Sequence, residues 1–338
     1  MNTRSGSRDR RFRRAPARLR EINHRASASP LLALVLCFTL LAGCVADDRA
    51  SSPGGPAVDR SESEDPTTPE SAGSLASAPS ARSAFSAGHR VGVLLGIDPH
   101  DPSFDPRDYA DNDVLILDLQ SFRADQVAAL RAVGVDTIYG YVSIGSLESY
   151  RPYAQRFQNL TFAPYENWPD ERWIDVTNAS WQRFITTELA PRLIALGADG
   201  FFVDNADVYA QRSDDAVYQA LLAMIRAMRA SGRPVMINGG AAFVERMQSE
   251  GLGAEIDALA QEELLTRIVD YEAERFERQS PPETRITENR LERARREGAA
   301  VLLIEYSEDA DLAAEVARYA RGKGFASCVS SSVDLRGD

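Results

Sequence analysis

Lysine is almost missing from this sequence: Lys323 is the only one in 338 residues, and histidine occurs three times, as His24, His89 and His100. That scarcity argues against a Schiff-base lysine, a Ser-His-Asp triad or a cluster of histidine ligands for zinc. The three cysteines are Cys37, Cys44 and Cys328. The first two lie in or beside one apolar run, so no internal disulfide framework is expected. No G-x-G-x-x-G or Walker segment follows a strand-like run, which argues against a phosphate-binding loop. With 22 Gly and 17 Pro the chain is not fibrous, and with 44% hydrophobic residues it is not disordered throughout. Aspartate, glutamate, tyrosine and asparagine are left to supply the chemistry.

Charge is unevenly spread. Of 38 basic and 50 acidic residues, positions 1–43 hold nine arginines against Asp9 and Glu21, which leaves 29 basic and 48 acidic groups, a net −19, for the rest. Such a surface repels nucleic acid. The basic segment is followed by an apolar run over 30–42 that is too short for an ordinary membrane-spanning helix and ends in Leu41-Ala42-Gly43-Cys44. This ending resembles the lipobox of bacterial lipoprotein signal peptides. The resemblance implies that residues 1–43 are removed and that Cys44 becomes a lipidated first residue, tied to a membrane and facing outside the cytoplasm of the bacterial cell. Residues 44–88 are mostly Ser, Pro, Ala, Gly and acidic residues with almost nothing to bury, and read as a disordered tether.

From residue 89 to 338, short β-branched runs alternate with longer amphipathic ones. Candidate strands fall at 91–96, 114–118, 137–143, 200–204, 235–238, 256–262, 301–306 and 325–329. Helices are expected over 122–134 with Ser121 as cap, from Asn178 or Ser180 to Gly197 with a kink at Pro191, over 213–231, and over 308–322. Eight strands, eight helical slots and about 250 residues fit an α/β fold of the closed (β/α)₈ barrel type. An open doubly wound sheet is the alternative, but it lacks its glycine fingerprint here.

In such a barrel the active site lies at the carboxyl ends of the strands. Strand two ends in Asp118, strand three runs through Tyr139 and Tyr141 to Ser143, strand four ends in Asp204, strand five in Asn238 and strand six in Glu262. Period-two alternation puts Gly200, Phe202 and Asp204 on one face of strand four, and Ala258, Ala260 and Glu262 on one face of strand six. Small residues suit a crowded barrel interior, so Glu262 rather than Glu263 points inward. Two carboxyl groups at one pocket mouth are what glycoside cleavage requires, one to donate a proton and one to attack or stabilise an oxocarbenium-like carbon. Asp204 and Glu262 are that candidate pair, with Asp118 in reserve and the parity of Glu305 ambiguous.

The segments Tyr139–Glu148, Tyr150-Arg151, Glu171–Asp175 and Gly197–Tyr209 follow one another with a spacing that resembles glycoside hydrolase family 114, the endo-α-1,4-polygalactosaminidases. The resemblance implies a barrel hydrolase that needs neither a metal nor an organic cofactor and acts on α-1,4-linked galactosamine polymers. In it Asp204 matches the nucleophile or stabilising carboxylate and Glu262 the acid/base. Tyr141, Glu148, Asp175, Asn205, Asp207 and Tyr209 match polar and aromatic positions that shape the sugar subsites, and the strand-end residues Asp118 and Asn238 are expected to touch substrate beside them. Plainer roles remain open: Asp175 could order a loop, Glu148 and Arg151 could pair at the surface, and Tyr209, Trp168 and Trp173 could pin loops. A net charge near −19 would attract a partly deacetylated, cationic polymer. A non-catalytic surface lipoprotein binding an amino-sugar polymer, and a glycosidase for a different exopolysaccharide, are the alternatives; a monomer is the default.

Overall fold

The computed structural model describes residues 81–337; the signal peptide over 1–43, the lipidation expected at Cys44 and most of the tether expected over 44–88 lie outside the described residues. Eight strands form one all-parallel sheet in sequential order: β1 Val91–Leu94, β2 Val114–Leu117, β3 Thr137–Ser143, β4 Gly200–Asp204, β5 Val235–Asn238, β6 Ala258–Glu262, β7 Ala300–Tyr306 and β8 Ala326–Ser330. The sheet curls into a nearly closed (β/α)₈-type barrel. At the seam the Gly96 N–H donates to the Leu335 carbonyl (3.2 Å), and a Cβ on Gly96 would stand 2.2 Å from the Asp334 carbonyl oxygen. Only glycine lets the two segments meet so closely.

The alternation expected of these strands sorts the core into two layers. Leu115, Leu117, Ile138, Val142, Phe201, Val203, Val235, Ile237, Leu259, Val301 and Leu303 face outward and pack under the helices. Val93, Ile116, Tyr139, Tyr141, Phe202, Met236, Ala258, Ala260, Leu302 and Ile304 face inward and fill the barrel. Large side chains sit opposite small ones: Tyr139 pairs in register with Gly200, where a Cβ would lie 2.4 Å from the tyrosine ring. This interdigitation is how a barrel interior reaches solid-like packing without voids.

Three expectations need correction. Ala81, Ala84 and Phe85, counted with the tether, belong to the globular unit: they are buried, join the inward-facing cluster, and Phe85 meets Tyr139 edge-on at 5.0 Å. The slot between β1 and β2 holds a 3₁₀ turn, Pro106–Tyr109, instead of an α-helix. Ser121 does not cap the first helix. That helix, α1 (Ala124–Ala132), starts at Arg123, whose N–H the Gln126 side chain accepts, while the Ser121 hydroxyl donates to the Asp118 carbonyl.

The remaining slots follow the pattern. In α2, Ala179–Leu196, Asn178 caps the start and Gly197 (φ 108°) the end. The kink expected at Pro191 takes the form of widened π turns over Phe184–Leu189. Pro191 has no N–H to give the Thr187 carbonyl four residues back, so the ladder is remade at a wider spacing. α3 (Asp215–Arg229) is capped by Asp214, α4 (Ala241–Ser249) follows β5, α5 (Pro281–Glu297) precedes β7, and α6 (Ala310–Lys323) runs from the Asp309 cap to Gly324.

Two insertions extend the carboxyl-end rim. After β3, the segments Ser146–Glu148, Thr161–Pro164 and Glu171–Ile174 form a three-stranded antiparallel sheet; after β6, Thr266–Asp270 and Arg275–Arg278 form a hairpin. Gly145, between β3 and its insertion, lies so close to β4 that a Cβ would stand 1.8 Å from the Asn205 carbonyl oxygen. Gly145→Ala should therefore lower the unfolding free energy by about 1–3 kcal/mol through backbone displacement. Gly322→Ala, on α6 with open space around it, should raise it by about 0.5–1 kcal/mol. Denaturant unfolding of the two variants, each expected to move in the opposite direction, checks the reading.

Candidate active site

Strand register decides what meets at the carboxyl end of the barrel. β4, β5 and β6 are neighbours, and their inward-facing terminal residues are Asp204, Asn238 and Glu262. Asn238 Nδ2 donates to Asp204 Oδ1 (3.1 Å) and to Glu262 Oε1 (2.7 Å), so one amide bridges both carboxylates. Asp204 Oδ1 also accepts the Asn205 N–H (2.9 Å), while Glu262 Oε2 accepts the Tyr306 hydroxyl. Among the described residues Asp204 Oδ2 has no protein hydrogen bond. The two groups share a cleft of about 910 Å³, and among the described residues neither is paired with an arginine.

The doubled glutamate is resolved by the same geometry. Glu262 ends β6 pointing into the cleft, whereas Glu263 adopts a left-handed backbone (φ 59°) and accepts the Ile268 N–H at 3.0 Å, holding the hairpin. Glu305, of ambiguous parity in the sequence, faces outward and is fully buried. Its two oxygens receive the N–H groups of Leu264, Leu265 and Thr266 and the Thr266 hydroxyl, and burial pushes its carboxyl up to about 7. It anchors the loop that follows Glu262.

The opposite wall is built on an ion cluster. Arg151 Nη1 donates to Asp118 (2.6 Å), and its Nε and Nη2 donate to Glu148 at 2.5 and 2.6 Å. All three side chains are largely buried, so the pairing of Glu148 with Arg151 is a wall of the cleft and not a surface contact. Burial raises the Asp118 carboxyl despite the adjoining guanidinium. Removing either partner of such a pair would strand a buried charge, which makes Asp118 a structural carboxylate rather than a reserve acid. Tyr150, well exposed, is held above this cluster by its hydroxyl bond to Glu148 (2.9 Å) and by Arg151 at 5.0 Å from its ring; Tyr141 lies beneath.

Between the two walls stands Glu171, which the sequence did not single out. Its Oε1 accepts from the Ser146 hydroxyl and from Asn205 Nδ2 (3.0 Å), and burial pushes its carboxyl up to about 7. Asn205, itself left-handed (φ 65°), thus binds Asp204 through its backbone and Glu171 through its side chain. Tyr306 was also missed, although Leu302 and Ile304 of the same strand face inward and parity carries Tyr306 with them.

Other sequence candidates divide cleanly. Tyr141, Asn205 and Asp207 line the cleft, and Asp207 Oδ2 accepts the Gly240 N–H (3.0 Å). Trp173 is buried and stacks on Tyr165 at 4.2 Å, while the partly exposed Trp168 reaches Tyr271 on the hairpin at 6.4 Å, edge-on. Asp175 and Tyr209 do not line the cleft. Asp175 accepts from the Thr177 N–H and hydroxyl, ordering the loop before α2. Tyr209 is packed against Tyr218 and Phe243 with its hydroxyl on Arg246. The short helix Val208–Gln211 turns Tyr209 into the outer core. Among the described residues no three His, Cys, Asp or Glu side chains are arranged to hold a metal ion.

Asp204 sits in an electrostatically crowded place. Burial raises its carboxyl well above the usual range, and the charges of Glu262 and Glu171 raise it further. Neutralising a like charge makes ionisation easier. In Glu262→Gln the Asp204 carboxyl should accordingly titrate at lower pH than in the unmutated chain, read from its carboxyl ¹³C shift; an unchanged or higher value would contradict the crowding.

A family model described as glycoside-hydrolase family GH114 matches residues 75–336. Among solved structures, the glycoside hydrolase domain of PelA from Pseudomonas aeruginosa is similar at 18% identity and a TM-score of 0.62, over 73% of this chain and 96% of that one. Ega3 of Aspergillus fumigatus, in complex with galactosamine, is similar at 16% identity and a TM-score of 0.56, over 76% and 94%. No curated protein matches. At these identities the structural likeness speaks for the barrel alone, while the family model spans nearly all of the described residues: the chain belongs to glycoside hydrolase family 114.

Proposed function

We propose that this glycoside hydrolase cleaves α-1,4-linked galactosamine-containing polysaccharide within the chain, with Asp204 as nucleophile and Glu262 as acid/base. The observation that carries the assignment is the Asn238 amide. Because one nitrogen reaches both carboxylates, their facing oxygens lie no farther apart than its two hydrogen bonds laid end to end. That favours the roughly 5–5.5 Å spacing of retaining enzymes over the roughly 6.5–9.5 Å of inverting ones.

The two-step reaction follows. Asp204 Oδ2, the oxygen without a protein partner, attacks the anomeric carbon as the glycosidic C–O bond breaks, and the Glu262 carboxyl gives its proton to the leaving oxygen. Glu262, now ionised, takes a proton from water, whose oxygen attacks the same carbon and releases Asp204. Tyr306 and Asn238 hold Glu262 in place through both protonation states. Eleven carboxylates against Arg151 and Arg336 line the cleft, which suits a cationic polymer, and the similar barrel of Ega3 is a complex with galactosamine. The exposed Tyr150 and Trp168 are platforms on which further sugar rings can stack.

We also propose that lipidation of Cys44 holds the enzyme on the bacterial cell envelope, facing outside the cytoplasm, on a Ser- and Pro-rich tether. The lipobox-like Leu41–Cys44 and the composition that follows support this reading. Metabolic labelling with a fatty acid, lost in Cys44→Ala, is the test.

Cleavage is tested with residues 75–338 and α-1,4-galactosamine oligomers. Glu262→Gln should lower kcat about 10²–10⁴-fold, Asp204→Asn should abolish turnover, and the first product detected by NMR should keep the α configuration. Binding without cleavage by the unmutated protein would favour the non-catalytic lipoprotein, and cleavage of only another glycan would move the substrate while keeping the two carboxylates.

A further inference from the structure

The floor of the cleft carries more negative charge than its own side chains neutralise. Arg151 is fully occupied by Asp118 and Glu148. Arg336, on the rim, is paired with Asp334. Asp204, Glu262 and Glu171 remain, and every hydrogen bond they accept comes from a neutral donor: an amide, a hydroxyl or a backbone N–H. Burial pushes the Glu171 carboxyl up to about 7, and the hydrogen bonds from Ser146 and Asn205 and the charge of Arg151 do not offset it. What the arrangement lacks is a cation.

The position of Glu171 says where that cation would come from. Asn205 couples it to Asp204, with the backbone N–H on Asp204 Oδ1 and the side-chain amide on Glu171 Oε1. Glu171 Oε2 has no protein hydrogen bond among the described residues. In the proposed reaction Asp204 attacks C1 of the sugar, and the substituent at C2 is carried by the adjoining carbon, two bonds from C1. We propose that Glu171 selects a free amino group at C2 of the ring under attack, pairing with its ammonium through the open oxygen. The proposal rests on Asp204 being the nucleophile and names the residue that reads the substrate's acetylation state.

The physical basis is the asymmetry between a paired and an unpaired buried charge. An ammonium gives Glu171 a charge-assisted hydrogen bond in a place shielded from water. An N-acetyl group offers only a neutral amide, and it leaves the carboxylate uncompensated or forces it to keep a proton. A site built around one polar partner rejects an analogue that lacks it far more strongly than an apolar pocket rejects an extra methyl group. The same ammonium lies near Asp204 and favours its ionised, attacking form, so the discrimination enters the transition state as well as binding.

The test compares α-1,4-galactosamine oligomers with fully N-acetylated oligomers of equal length. The unmutated enzyme is expected to favour the free amine by about 100-fold or more in kcat/KM. Glu171→Gln keeps a carbonyl oxygen to accept from Ser146 and Asn205 and should fold, which its unfolding midpoint verifies. It should lose at least ten-fold on the amine substrate, leave the acetylated one within about three-fold, and move the acid limb of kcat/KM to lower pH, because a like charge near Asp204 is gone. Glu171→Asp, which keeps the charge, should restore part of the preference. Undiminished discrimination in Glu171→Gln, equal loss on both substrates, or equal cleavage of both by the unmutated enzyme would overturn the assignment. Failure of the unmutated enzyme to cut either oligomer would instead count against the proposed function.

Discussion

One side-chain amide joins the working parts of this barrel. Asn238 can bridge Asp204 and Glu262 only because β4, β5 and β6 are consecutive neighbours in the sheet and all three end on an inward-facing residue. Turning the amide over would aim its oxygen at two carboxylates, so its orientation is fixed by the charges it serves. The consequence is an unfavourable one for stability: Asn238 Oδ1 is buried without a partner. An orphaned acceptor of that kind is rare in a packed interior and tends to mark a site where geometry matters more than folding energy.

Backbone strain accumulates in the same place. Asn205 and Glu263, the residues directly after Asp204 and Glu262, both take left-handed conformations. Each turns the chain sharply as it leaves its strand, which keeps the preceding carboxylate aimed at the cleft and sends the next side chain elsewhere, to Glu171 in one case and to the hairpin in the other. Such conformations persist only where surrounding contacts over-determine them. Here Gly145 packs on the Asn205 carbonyl, and Glu305 gathers three backbone N–H groups of the loop after β6.

Much of this could be read from residues alone, and the reason is period two. All eight strands fall within two residues of the runs that suggested them, and alternation placed Asp204 and Glu262 inside the barrel because flanking glycine, alanine and phenylalanine identify the inner face. Alternation fails where strands are short or flanked by insertions. Glu171 begins a four-residue antiparallel strand whose neighbours are set by a long loop, and nothing local says which way it points. Asp175 and Tyr209 followed recognisable segments but serve a loop turn and the outer core, since a resemblance in sequence does not carry the direction of a side chain. Phe85 lay hidden in a composition typical of a tether, where a single aromatic gives no periodic signal.

The carboxylates of the cleft fall into two classes by the donors that hold them. Asp118 and Glu148 are bound by Arg151, whose loss would leave them buried and unpaired. Asp204, Glu262 and Glu171 are bound by amides, hydroxyls and backbone N–H groups, which orient a carboxyl without dictating whether it carries a proton. That difference is chemically necessary. In the proposed mechanism Glu262 gives up a proton and takes it back within one turnover, and an arginine in contact with it would hold it in one charge state. The wall and the floor of the cleft are made of the same kind of side chain, and the partner decides the difference: a guanidinium locks the wall carboxyls in place, while neutral donors orient those of the floor.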